Sequence, residues 1–264
     1  VPLMTPQELD EQIGWEAEQQ ISYDIKVMSI DYEVLKKRPE TGQMDVLLVA
    51  AKKDEVNDFV SLMKEAKLRP QVVDVNAFAV QNIFELQNGL PQDQAIALIN
   101  VGAAVTSINI ISGGISAFTR EVTNAGNAIT EQIQKQFSVP YDQAEAYKCG
   151  GGASEIVPQE VHQVIANACE GLAGDIQRSL DFYLATSSEA EISRVHVCGG
   201  SAYLAPLAKA IERRAKVPVS LFDPFTNIGV DGKFVNEEAL RSRAGQFAVA
   251  AGLGLRRDKE KRSS

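Results

Sequence analysis

Between residues 95 and 122 three apolar runs, 95–101, 105–111 and 115–122, follow one another with only Gly102-Ala103-Ala104 and Ser112-Gly113-Gly114 between them. Turns this short leave no room for the crossover that parallel strands need, so these runs form an antiparallel meander. A helix follows with Ile129, Ile133 and Phe137 on one face, then a Gly150-Gly151-Gly152 loop. A long helix is expected over 158–186, where Val161, Ile165, Ala168, Leu172, Ile176, Leu180 and Tyr183 form an apolar stripe. A strand at 194–198 runs into Gly199-Gly200-Ser201 and a further helix, and a strand at 217–221 comes next. The closing helix, 242–255, carries Ala244, Phe247, Ala248, Ala251 and Leu255 on one face. Glycines 245, 252 and 254 let that face approach another backbone closely.

The first 75 residues follow a different pattern. Thr5 and Glu8 make a capping box with Pro6 at the first helical position, opening a helix over 5–21 whose stripe is Leu9, Ile13, Ala17 and Ile21. Trp15 lies off that stripe, to pack on a neighbouring subdomain or to serve a partner. Two β runs, 25–34 and 46–50, are joined by a polar loop with Pro39 and Gly42. Asp54 is expected to cap a helix with Val56, Phe59, Val60 and Met63 on one side, and 68–75 to return as a strand. The division is therefore a small α+β module over 1–75, a connecting helix and boundary over 76–91, a second lobe over 92–255, and a polar tail over 256–264. The Gln87-Asn88-Gly89-Leu90-Pro91 cluster is the clearest break in pattern.

Composition excludes several classes. The chain is 45% hydrophobic and 23% charged, enough for a sizeable core, and its net charge of −9 disfavours nucleic acid and anionic lipid as bulk partners. No apolar stretch approaches the ~20 residues that cross a bilayer, so direct membrane insertion is not expected. Cys149, Cys169 and Cys198 are too few and too scattered for a disulfide framework or zinc site, which fits a reducing cytoplasm. The two histidines, His162 and His196, make neither a metal-ligand pattern nor a triad. The sequence starts at Val1 without a signal peptide or initiator Met, which fits a start inside a longer gene product.

Two glycine turns carry the chemistry. At Gly102-Ala103-Ala104, with Thr106 beyond, small residues let backbone amides approach a phosphate; the plain alternative is an ordinary hairpin turn. At Gly199-Gly200-Ser201, a strand running into Gly-Gly and a helix can lie flat against a planar ring, or be only a tight connection. Asp175 and Arg178, three apart on the long helix, read as a solvated ion pair or as groups reaching toward a ribose. There is no Gly-x-x-x-x-Gly-Lys-Ser/Thr loop, and no Gly-x-Gly-x-x-Gly between a strand and a helix.

The order of these features resembles the second half of the actin, DnaK-type chaperone and sugar-kinase superfamily. The chain resembles more closely the type IV pilus assembly PilM family, relatives of the cell-division protein FtsA. The resemblance rests on Trp15-Glu16-Ala17-Glu18-Gln19, the run from Asp45 to Ala51, Val73-Asp74-Val75, and Arg120-Glu121-Val122 with Gly126-Asn127-Ala128-Ile129-Thr130. It rests also on Ala144-Glu145 with Lys148, the run from Asp175 to Tyr183, and Cys198-Gly199-Gly200-Ser201. It covers nearly the whole chain.

This resemblance implies an α/β, actin-like (ribonuclease H-like) ATPase fold with an inserted α+β subdomain and a first lobe incomplete in these residues. It implies ATP with Mg²⁺, held by Gly102, Ala103, Ala104 and Thr106 as second phosphate loop, Gly199, Gly200 and Ser201 as adenosine motif, Asp175 and Arg178 on the ribose side, and Tyr203 against adenine. Two departures stand out. The Asp-Ile-Gly-Ser-type first phosphate hairpin is not in the sequence, and Asn100 occupies the usual Asp position. A neutral amide does not organise Mg²⁺ and its waters, so weak or no hydrolysis is expected. The implied role is a cytoplasmic scaffold for pilus assembly and twitching motility. It is peripheral at the inner membrane through the N-terminal tail of a PilN-type protein, with pilus motor ATPases as further partners. The alternatives are a nucleotide-free secretion-system scaffold, an FtsA-like division protein and a sugar-kinase-type phosphotransferase. The last requires a general base for which no carboxylate in the loops qualifies.

Overall fold

The computed structural model describes residues 1–151, 157–187 and 191–256. Gly152 of the glycine loop and residues 257–264 of the tail lie outside the described residues. The chain forms two compact units, Val1–Val73 and the larger Asp74–Arg256.

In the smaller unit, α1 (Pro6–Gln20) starts at the Thr5–Glu8 capping box, with both reciprocal hydrogen bonds present. It lays Leu9 and Ile13 on one face of a hairpin, β1 (Met28–Arg38) and β2 (Gln43–Lys52), against Tyr32, Met44, Val34 and Val46. Asp24 accepts from the Lys26 amide and winds 25–27 into a 3₁₀ turn, so β1 begins at Met28 rather than Ile25 and runs on to Arg38. Helix α2 (Lys53–Glu65) opens with no side-chain cap; Asp54 sits in its first turn, where its charge favours the helix dipole instead of accepting a capping bond. The strand expected over 68–75 is absent, because that run reaches no partner strand.

The larger unit is a three-layer α/β sandwich. Its sheet has the order β5-β4-β3-β6-β7, from β3 (Ala95–Val101), β4 (Thr106–Ser112), β5 (Ile115–Val122), β6 (Ile192–Cys198) and β7 (Val219–Leu221). The meander β3–β4–β5 is antiparallel, as its short turns over 102–105 and 113–114 require, and β3–β6 and β6–β7 are parallel. One face buries Ile99, Ile108 and Val197 against α4 (Gly126–Phe137), α6 (Gln159–Thr186) and α7 (Ala205–Ala215), with Leu172 and Ile176 at the centre. Between α4 and α6 a short helix, α5 (Tyr141–Lys148), forms that the sequence pattern does not announce. The opposite face packs Ile96, Leu98 and Ile111 on Val80, Ile83 and Phe84 of α3 (Asn76–Asn88). The break between the units thus falls ahead of α3, and the turn cluster at 87–91 lies inside the larger unit.

The closing helix is broken. Residues 237–241 form α8 (Glu237–Arg241), 244–247 a 3₁₀ turn, and only Ala248–Leu253 a helix, α9. The cause is Gly245, whose carbonyl accepts from the Gly199 amide at 2.9 Å and whose amide donates to the Tyr203 hydroxyl at 2.8 Å; both groups are diverted from a helical ladder. His196 on β6 stacks near Phe84, 4.8 Å between centroids, and shares a hydrogen bond with Ser220; burial, with Arg194 second, lowers its pKa to about 4.

Helices α3 and α9 meet at Gly252, where any Cβ would run into the Ala79 backbone. Gly252→Ala should therefore destabilise the larger unit by about 1–3 kcal/mol, the usual cost of overpacking. Gly14→Ala, with nothing within 4 Å, should instead gain up to about 1 kcal/mol in α1. Urea midpoints of both variants against the parent check this.

Candidate functional site

Parallel pairing of β3 with β6 sets Asn100 opposite Cys198, so the turns that follow the two strands emerge side by side. Open α/β sheets bind ligands at such carboxyl ends. After β3 the chain turns so tightly that the Gly102 amide donates to the Val105 carbonyl at 3.0 Å, and a Cβ on Gly102 would lie 2.9 Å from that oxygen. Ala103 and Ala104 are exposed, and their amides find no acceptor among the described residues. Two adjacent unbonded amides on a small-residue turn suit an anion.

After β6, Gly199 takes φ +92°, and a Cβ there would strike the Val101 carbonyl and the Asn100 side chain; only glycine fits. Gly200 is exposed, and a Cβ there would meet nothing closer than Gln246 at 3.7 Å. The two turns are tied together: the Ser201 hydroxyl donates to the Gly102 carbonyl at 3.0 Å, the Gly126 amide to the same carbonyl at 3.1 Å, and the Asn127 amide to Ala103 at 2.7 Å.

Gly102, Ala103, Gly199, Gly200 and Ser201 are therefore gathered at one place, with Ala104 at the turn tip and the Asn100 amide behind Gly199. Thr106 is fully buried, and its hydroxyl is used on the Asn124 carbonyl at 2.9 Å. The Asn124 side chain in turn donates to Asp175 at 2.7 Å, and Arg178 pairs with the same carboxylate. Asp175 thus reaches the first turn through Asn124, while Arg178 stays exposed. Tyr203 is more than one-third exposed with its hydroxyl held by the Gly245 amide.

Single-residue motifs miss a buried cluster behind the first turn. Lys148 of α5 is 7% exposed at its side chain and donates to the Gly126 carbonyl at 3.2 Å, to the Thr130 hydroxyl at 2.9 Å and to Glu145 at 2.7 Å; Thr130 donates to Glu145 at 2.6 Å. A lysine three residues after a glutamate ordinarily reads as a solvated pair, and only the packing of α5 on α4 buries this one.

A nucleotide phosphate fits the exposed amides of Ala103 and Ala104. At the position where a carboxylate would help hold a divalent cation, Asn100 offers a neutral amide. Burial alone would raise the Glu145 pKa, but hydrogen bonds from Lys148 and Thr130 outweigh it and hold the carboxyl below its ordinary value of 4.5. A carboxylate with a depressed folded pKa contributes stability above its unfolded value and loses it as pH falls through the folded one. Glu145→Gln should thus be less stable than the parent at neutral pH, and the difference should shrink below about pH 4.5, as read from urea midpoints across that range.

The sequence profile of the family described as type IV pilus assembly protein PilM matches residues 3–258. Among solved structures, a chain of the PilM-PilN type IV pilus biogenesis complex is 27% identical with a TM-score of 0.84, over 97% of this chain and 74% of that one. The ethanolamine utilization protein EutJ from Carboxydothermus hydrogenoformans is 15% identical with a TM-score of 0.57, over 78% of this chain and 62% of its own. MreB 5 of Spiroplasma citri, solved with AMPPNP, is 16% identical with a TM-score of 0.52, over 77% and 64%. The last two share the actin-like fold alone.

Proposed function

The chain belongs to the PilM family of type IV pilus assembly proteins, and we propose from that premise that it is a nucleotide-binding scaffold of the pilus assembly platform. The observation that carries the nucleotide role is the Ser201–Gly102 hydrogen bond, which joins the two glycine turns at the ends of β3 and β6. In this arrangement the amides of Ala103 and Ala104 hold the phosphates of ATP. Gly200 leaves room for the base beside Tyr203, and Asp175 with Arg178 lies toward the ribose. Thr106 contributes by buttressing Asn124 rather than by touching the ligand. Mg²⁺ arrives with the phosphates, because no carboxylate stands at Asn100 to hold it, and hydrolysis is weak or absent for the same reason.

The partner is the N-terminal cytoplasmic tail of a PilN-type membrane protein, with at least one contact in residues 1–75. The solved relative carrying the PilN name supports this partner. Among the described residues no helix is long and apolar enough to cross a membrane, and a net charge of −9 opposes direct binding to anionic lipid. In this reading, attachment at the inner membrane runs through that partner.

Two measurements test the proposal. Gly200 has open space around it, so Gly200→Asp folds normally while placing a carboxylate where nucleotide lies. Calorimetry should show ATP affinity at least about tenfold weaker in the variant, equivalent to ~1.4 kcal/mol; unchanged affinity overturns the site. A PilN-tail peptide should bind the parent and lose affinity in a variant lacking residues 1–75 whose remaining fold is verified by circular dichroism. Equal binding by both removes the small unit from the partner site.

A further inference from the structure

The second glycine turn lies beside a polar side chain that has no partner. Gln246 stands on the 3₁₀ turn 244–247, and its backbone is fixed. Its amide donates to the Arg243 carbonyl at 2.9 Å, and its neighbour Gly245 is bonded to both Gly199 and Tyr203. The Gln246 side chain is exposed and makes no hydrogen bond among the described residues. Its Nε2 and Cγ are the atoms nearest to where a Cβ on Gly200 would stand, at 3.7 and 4.0 Å. The side-chain amide therefore borders the open space over Gly200. The hydroxyls of the turn are already committed, Ser201 to the Gly102 carbonyl and Tyr203 to the Gly245 amide.

A primary amide offers an acceptor oxygen beside N–H donors. Its complement on a flat ring is an amine next to a ring nitrogen, the pattern that adenine presents along the edge carrying N6. We infer that Gln246 reads that edge: its Oε1 accepts from the N6 amine and its Nε2 donates to the adjoining ring nitrogen, so that this residue sets the preference for adenine. Stacking on Tyr203 or lying along Gly200 favours any flat ring alike. A preference between purines needs a hydrogen-bonding side chain, and Gln246 is the one left free beside the turn. Because its backbone is already held, little ordering is lost when the amide is used. The inference deepens the nucleotide-binding role proposed above and rests on it in placing a base over Gly200.

The test compares ATP with purine riboside triphosphate, which lacks only the N6 amine, by calorimetry on the intact protein with Mg²⁺ present. The parent should bind ATP about fivefold tighter, the size of one neutral hydrogen bond. Gln246→Met keeps the length of an exposed side chain and should erase that preference, with an unchanged melting temperature. Gln246→Glu should weaken both nucleotides yet retain the preference, since a carboxylate still accepts from the amine but donates nothing to the ring nitrogen. Equal binding of the two nucleotides by the parent overturns the inference and leaves the nucleotide site standing. A preference that survives Gln246→Met, or is lost in Gln246→Glu, does the same. A parent that binds neither nucleotide overturns the nucleotide role itself, and this inference with it.

Discussion

The larger unit depends on β3 being covered on every side. It pairs antiparallel with β4 and parallel with β6, and it buries Ile99 toward α6 and Ile96 and Leu98 toward α3. A strand so enclosed has no freedom of register, since a one-residue slip would exchange its two faces and move Asn100 into a packed layer. Because β6 runs alongside in the same direction, the chain must leave the sheet twice at the same end, within hydrogen-bonding reach. Gly102 and Gly199 follow from that crowding: each lies where a Cβ would collide with the other strand or its own turn. The candidate site is thus a consequence of sheet topology before it is a feature of any side chain.

Its electrostatics are set by backbone amides and by side chains already committed to one another. The exposed groups at the first turn are backbone amides, and the residue behind them is the neutral Asn100. The nearest carboxylate in the hydrogen-bonded chain, Asp175, already accepts from Asn124 and Arg178. Lys148, the buried cation among the described residues, is committed to the Gly126 carbonyl, Thr130 and Glu145. An unpaired ammonium at that depth would be costly, and its three partners make it tolerable. The bonds that satisfy it also anchor α4, whose first amides close on the Gly102 turn.

The small unit obeys a different balance. Its core is little more than Leu9, Ile13, Tyr32 and Met44, and a two-stranded hairpin is marginal unless a helix covers it. Helix α1 covers one face, while much of the apolar surface of α2 and of the run after it stays in contact with water, as does Trp15 at 72% exposure.

Much of this was legible in the sequence for local reasons. Short turns dictated the meander, Thr5 and Glu8 dictated the start of α1, and glycine at 102 and 199 marked backbones that tolerate no Cβ. These are properties of a few neighbouring residues, and the apolar stripe of α6 is likewise set by its own period. What only the tertiary structure decided involves distant partners. The run 68–75 is strand-like in composition, yet a strand exists only where another backbone accepts its amides. The closing helix is uninterrupted in pattern, yet Gly199 and Tyr203 capture the Gly245 backbone from more than forty residues away. Lys148 is buried only because α5 packs on α4, and the Thr106 hydroxyl, expected at the phosphate, is spent on the Asn124 carbonyl. Local sterics and periodicity can be read along the chain. The pairing of a hydrogen-bonding group with one remote in sequence is settled only when the sheet brings the two within three ångströms.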